Sequence, residues 1–237
     1  MIEKILPGAA ACAEAFDDPP DAMLYPQEEA VISRAVEKRR REFRTVRHCA
    51  RLALRDLGLP PAAVLTGKHR EPLWPPGVVG SMTHCAGYRA AVVARSRDLL
   101  TVGIDAEPHQ PLPPDVLAAI SLADEQVQIT ELAALYGSSH WDRILFCAKE
   151  TVYKAWFPLT QRWLGFQDAA ITIDPVEGGF SARLLVPGPT ITGQALTEFD
   201  GRWLISNSLV VTAIAVPRTR AALGCDHQRV ADCDLHH

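Results

Sequence analysis

Hydrophobic and polar positions change period along the chain, and each change marks an element. From about Glu28 to Leu57 the spacing is helical: Phe43, Val46, Ala50, Ala53 and Leu57 share one stripe, and Gly58 and Pro60 end the run. Past Tyr88 the apolar runs shorten and are bounded by turn residues. The segments YRAAVVAR and TVGIDAE read as two paired strands joined through the polar turn at Ser96 to Asp98. Helical spacing returns after Pro114 and is clearest over His140 to Phe157, and the later runs AAITID, SARLLV and GRWLISNSLVVTAIAV read as strands. Helix followed by strands occurs twice. The pattern therefore predicts an α+β chain of two halves, residues 1–108 and 109–217, divided near the proline-rich stretch Glu107 to Pro114, with a weakly structured tail over 218–237.

Composition narrows the class. The chain has 237 residues, of which 48% are hydrophobic and 22% charged, enough for a substantial core. A formal net charge of -4 does not suggest a globally basic nucleic-acid or membrane-surface binder. No apolar run approaches the roughly 18 residues needed to span a bilayer. Glu3 and the Asp17-Asp18 pair make the N-terminus a poor secretion signal. The six cysteines are scattered without a CxxC, which favours reduced, mostly buried thiols and a cytoplasmic location. In the tail, Cys225, His227, Cys233 and His236 match no standard zinc spacing.

Three stretches carry candidate chemistry. Between Lys38 and Arg55 there are eight basic residues and one acidic residue, Glu42. At roughly 100° per residue, Arg40, Arg44, Arg47, Arg51 and Arg55 form a basic stripe, read either as a solvated face or as an anion-binding one. Arg39 falls in the apolar stripe and requires an anionic partner unless it snorkels out. In GSMTHC, Gly80, Ser81, Thr83 and His84 form a turn before a strand, which suits close backbone approach and hydrogen bonds to a phosphate, or simply a capped turn with a satisfied histidine. In VGIDAE, Asp105 and Glu107 are two residues apart and share a strand face, an arrangement satisfied by a cation between them or by water on both. In FCAKETVYK, Glu150 and Lys154 form an i,i+4 pair beside Lys149, as on many solvated helices. However, Phe146 shares the Glu150 side, and Trp156, Phe157, Trp163 and Phe166 follow closely.

The order GSMTHC, VGIDAE, FCAKETVYK resembles the 4'-phosphopantetheinyl transferases of the Sfp type, whose pattern is G-S-x-[ST]-H, then [IV]-G-[IV]-D-x-E, then [FW]-[SC]-x-K-E-x-x-x-K. RRREFRTVRHCAR and EPLWPPG are also similar to family segments, so the resemblance covers about Val36 to Phe166. HWDRILFCAKE and YKAWFPLT look most like the actinobacterial branch that includes the mycobacterial enzyme. The resemblance implies a pseudo-twofold fold with the active cleft between the two subdomains, in a monomer. It implies Mg²⁺ held by Asp105, Glu107 and Glu150. Coenzyme A is the implied co-substrate, its diphosphate met by Lys154 and Thr83 with Lys149 nearby, and its 3'-phosphate by His84, Arg39 and Arg47. Lys68 or Arg70 in GKHREP is a looser candidate.

The implied reaction moves the 4'-phosphopantetheine group from coenzyme A to a serine of an acyl or peptidyl carrier protein and releases 3',5'-ADP. Glu150 is the chosen base, directly or through a metal-bound water, and Lys154 offsets the growing charge. Such carriers serve fatty-acid, polyketide and nonribosomal-peptide synthesis. They are usually acidic, so the basic stripe would steer them, with Phe157, Leu159 or Trp163 as apolar contacts. Two competing readings are a coenzyme-A-binding regulator without chemistry and a nucleic-acid module built on the basic helix. The intact Asp105, Glu107, Glu150 and Lys154 argue against the first. The acidic net charge and the absence of a groove-reading motif argue against the second.

Overall fold

The computed structural model describes residues 1–218 apart from 138 and 192, so the tail cysteines and histidines lie outside the described residues. After a short 3-10 turn at Ile2–Ile5 come β1 (Ala10–Ala15), α1 (Pro26–Ile32), α2 (Glu37–Asp56), the two-residue strands β2 (Leu65–Thr66) and β3 (Pro72–Leu73), β4 (Val78–Cys85), β5 (Tyr88–Arg95) and β6 (Leu99–Pro108). The second part holds α3 (Pro114–Ile120), α4 (Ala123–Tyr136), α5 (Trp141–Thr160), β7 (Ala169–Asp174), β8 (Gly179–Leu184), the short β9 (Thr190–Ile191) and β10 (Gln194–Ala195), β11 (Glu198–Ser206) and β12 (Leu209–Pro217).

Two larger antiparallel sheets result, with the short pairs β2-β3 and β9-β10 beside them. The first has the order β1-β5-β4, and α2 packs on it through Cys49, Ala50, Ala53 and Leu54 against Ala91 and Val93. The second has the order β6-β12-β11-β8-β7, covered by α5 through Ile144, Leu145, Ala148, Val152 and Ala155. The β11–β12 hairpin turns at Asn207 and Ser208, both at positive φ (51° and 58°), the backbone of a type I′ turn that matches strand twist. A third apolar cluster joins the sheets: Tyr88, Ala90 and Val92 of β5 pack with Val102, Ile104 and Ala106 of β6 and with Val211 and Ala213 of β12.

Three expectations are corrected. The long first helix is two, α1 and α2, because Glu28 turns inward to accept Val64 N (2.8 Å) and Arg51 Nη1 (3.0 Å), which an uninterrupted helix could not align. The strands β5 and β6 do not pair: β1 and β4 already occupy both edges of β5, so β6 takes β12 as its partner, with Asp105 opposite Thr212. By hydrogen bonding β6 belongs with the second sheet. Finally, GSMTHC is strand β4, not a turn. Its Gly80 is approached closely by the chain itself: a Cβ there would lie 2.6 Å from the Trp74 ring, whose Nε1 donates to Gly80 O at 2.9 Å.

Candidate active site at the seam between the sheets

Strands β4 and β6 meet edge to edge, and side chains stitch them. Ser81 Oγ accepts Ile104 N at 3.1 Å, and Thr83 Oγ1 accepts Ala106 N at 3.2 Å. The same Thr83 hydroxyl donates to Asp105 Oδ1 at 3.0 Å. From the other side α5 lies directly on β6. A Cβ at Gly103 would sit 2.5 Å from Thr151 O and 2.8 Å from Ala155 N, so glycine is what permits the contact. Thr101 Oγ1 reinforces it by donating to Ala155 O at 2.9 Å. This crossing delivers Lys154 Nζ to 2.7 Å from Asp105 Oδ1.

Asp105 is 5% exposed, and its second oxygen, Oδ2, is buried without a hydrogen-bond partner. Burial first, then Asp105, pushes the Glu107 carboxyl up to about 7, against the pull of Arg143 and Lys154. Burial and then Asp105 also raise Glu150 above the usual carboxylate range. Burial opposes the charge on Lys154, but Asp105 and Glu150 outweigh it and raise its pKa. The site thus holds three mutually unfavourable carboxylates and one buried oxygen with nothing to bind, a donor set that fits a hard divalent cation. Among the described residues, however, no three such side chains stand in metal-holding geometry. In this arrangement Lys154 Nζ lies 2.7 Å from Asp105 Oδ1, and Arg143 Nη1 donates to Glu107 Oε2 at 3.2 Å.

A second polar group flanks the seam. Arg39 Nη1 donates to His84 Nε2, and Glu42 Oε2 lies 3.7 Å from both Arg39 Nη1 and His84 Nδ1. Burial, then Arg39, lowers His84 to about 4, so the ring is neutral at pH 7. Arg39 is not in the apolar stripe; its side chain is 47% exposed at the start of α2.

Other candidates are placed elsewhere. Arg47 is buried, donates to Val64 O (3.0 Å) and Thr66 Oγ1 (3.1 Å), and covers the Phe43 ring at 3.1 Å. Arg51 pairs with Glu28 at 3.0 Å, so the basic stripe is not uniformly exposed. Lys149 is buried, with Glu125 Oε1 (2.9 Å), Phe166 O (2.6 Å) and Ala169 O (2.9 Å) around its ammonium. Phe157 is buried against His69, with ring centroids 5.5 Å apart, while Trp163 is exposed beside Tyr153. Lys68 and Arg70 are exposed between β2 and β3. No described helix is long and apolar enough to cross a membrane.

Two family models match the chain: the 4'-phosphopantetheinyl transferase N-terminal domain over residues 27–94 and the 4'-phosphopantetheinyl transferase superfamily over residues 101–209. The chain is 54% identical to 4'-phosphopantetheinyl transferase Svp of Streptomyces mobaraensis, over 91% of this chain and 89% of that protein. It is 53% identical to 4'-phosphopantetheinyl transferase PptT of Mycobacterium tuberculosis, over 91% and 98%. It is 52% identical to 4'-phosphopantetheinyl transferase Npt of Nocardia iowensis, over 91% and 99%. The chain belongs to the 4'-phosphopantetheinyl transferase superfamily. It is an α+β transferase of that class, similar to actinobacterial members over most of its length.

Within this phosphopantetheinyl transferase the motif readings missed Arg143, the sheet-joining bond of Ser81 and the reason for Gly103. Arg143 carried a signal: it stands seven residues before Glu150 and eleven before Lys154, which places all three on one face of α5. The contacts of Ser81 and Gly103 carried none, because their partners lie on a strand and a helix distant in sequence.

Proposed function

We propose that the chain transfers the 4'-phosphopantetheine group of coenzyme A to a serine hydroxyl of acyl and peptidyl carrier proteins, in a Mg²⁺-dependent reaction. The observation that carries this reading is the seam itself: a buried, partnerless Asp105 oxygen, two carboxyls of raised pKa and the Lys154 ammonium meet beside the Arg39–His84 pair. Asp105, Glu107 and Glu150 would hold the divalent cation, which when bound supplies charge neutralisation for a diphosphate.

The chain's own residues divide the remaining work. Lys154, already beside Asp105, offsets negative charge as the phosphorus–oxygen bond to 3',5'-ADP breaks and the bond to the carrier serine forms. Glu150, with its raised pKa, takes the serine proton. Arg39 and His84 receive the 3'-phosphate; a dianion there would make the neutral ring protonate. Thr83 orients Asp105 by donating its hydroxyl proton to Oδ1. Arg47 serves the same subsite indirectly, by fixing the Val64–Thr66 segment against α2. Lys149 supports the position of α5 and does not touch substrate. The carrier, acidic in this reading, meets the solvent-facing Arg41 and Arg55 and the exposed Trp163. The protein acts as a cytoplasmic monomer, serving fatty-acid, polyketide and nonribosomal-peptide synthesis.

The test is intact-mass analysis of an apo carrier protein after incubation with the enzyme, coenzyme A and Mg²⁺. The reading predicts the mass of a phosphopantetheine arm on the carrier serine. A carrier that stays unmodified, while a control transferase modifies it, overturns it.

A further inference from the structure

Arg143 stands outside the three motifs, yet its guanidinium is more fully engaged than any other cation at the seam. Nη1 donates to Glu107 Oε2 at 3.2 Å, Nε to Gln110 O at 3.0 Å, and Nη2 to Pro111 O at 3.2 Å. Its side chain is 14% exposed and lies 5.8 Å from the Phe146 ring centroid. The three acceptors belong to the end of β6 and to the segment that leaves it, while Arg143 itself is on α5, on the face that carries Glu150 and Lys154. One planar group therefore fixes the end of the D-x-E strand to the helix that bears the other acidic residue.

We infer that Arg143 is the positioning residue for Glu107. By binding Oε2 and the two carbonyls beyond it, Arg143 holds the carboxylate in one orientation and keeps Oε1 available to the divalent cation. Oε1 accepts no hydrogen bond among the described residues. The fork is essential: three acceptors spread over Glu107, Gln110 and Pro111 need the fixed donor directions of a guanidinium, which a lysine ammonium does not reproduce. Groups that hold a metal ligand by its second atom typically contribute 10–100-fold to metal affinity.

The inference rests on the Mg²⁺-dependent reading above, and the experiment separates the two. Mn²⁺ is titrated into the protein with saturating coenzyme A, and free Mn²⁺ is followed by electron paramagnetic resonance. Wild type, Asp105→Asn, Arg143→Gln and Arg143→Lys are compared, with thermal unfolding recorded for each. Wild type is expected to bind one Mn²⁺ that Asp105→Asn loses. Arg143→Gln is expected to weaken that binding by about 10-fold or more, and Arg143→Lys to weaken it in a protein that unfolds near the wild-type temperature. If Arg143→Gln does not fold, the lysine variant decides. Variants that bind Mn²⁺ as tightly as wild type, or more tightly, overturn the positioning role even if their unfolding temperature falls. A wild-type protein that binds no Mn²⁺ overturns the metal reading, and this inference with it.

Discussion

Thr83 shows how much one hydroxyl can do. It accepts the amide of Ala106 and donates to Asp105, so it joins two sheets and aims a carboxylate at once. Thr83→Val keeps the shape and removes both bonds. Urea unfolding should show a loss of about 1–3 kcal/mol, because a buried N–H is left without an acceptor. Carrier modification should slow at unchanged KM for coenzyme A. His84 gives the second prediction. Its pKa near 4 lies below the ordinary 6.5, so the unfolded chain takes up the proton first; the contribution of His84 to stability is complete above about 6.5 and is lost as pH falls towards 4. NMR titration should find the ring neutral at pH 6. Adding 3',5'-ADP should raise its pKa, whereas adenosine 5'-monophosphate, which lacks the 3'-phosphate, should not.

Elements decide what the residues can reach. The crossing of α5 over β6 at Gly103 sets the distance between Lys154 and Asp105. Gly103→Ala must push the helix away, because the two atoms nearest the new Cβ belong to the helix backbone. Overpacking of this kind costs about 1–3 kcal/mol, and a misplacement of about 1 Å costs on the order of 100-fold in rate, which steady-state kinetics would read. The same helix is anchored further along by the buried Lys149–Glu125 pair. Lys149→Met leaves a buried carboxylate without its counter-charge and should destabilise the fold by about 3–5 kcal/mol, measured by denaturant titration. If Lys149 acted on the diphosphate, its loss would instead raise KM for coenzyme A in a protein of normal stability.

These elements also show what the sequence made legible. The three motifs are local, so their residue types, order and spacing could be read directly, and with them the acidic residues and Lys154. Tertiary choices could not. Helical angle alone put Arg47 outside and Arg39 inside, because it does not see that the Val64 carbonyl and Thr66 hydroxyl come to meet the first and that His84 comes to meet the second. Adjacent strands were expected to pair, but a distant strand, β1, takes the free edge of β5. Lys149 looked like a neighbour of Glu150, yet successive helix positions point about 100° apart, and this one faces the Ala169 end of β7.

For the whole molecule, the consequence is a site made by assembly. Each sheet brings part of it, and the apolar cluster joining β5, β6 and β12 ties their stability together. Calorimetry should therefore show one cooperative unfolding transition rather than two. The most direct test of the central claim is anomalous diffraction at the manganese edge from crystals grown with Mn²⁺ and coenzyme A. The account predicts one peak at the seam, within about 2–2.5 Å of oxygens from Asp105, Glu107 and Glu150. A peak that leaves out Glu150, or an ion held away from β6, would contradict it.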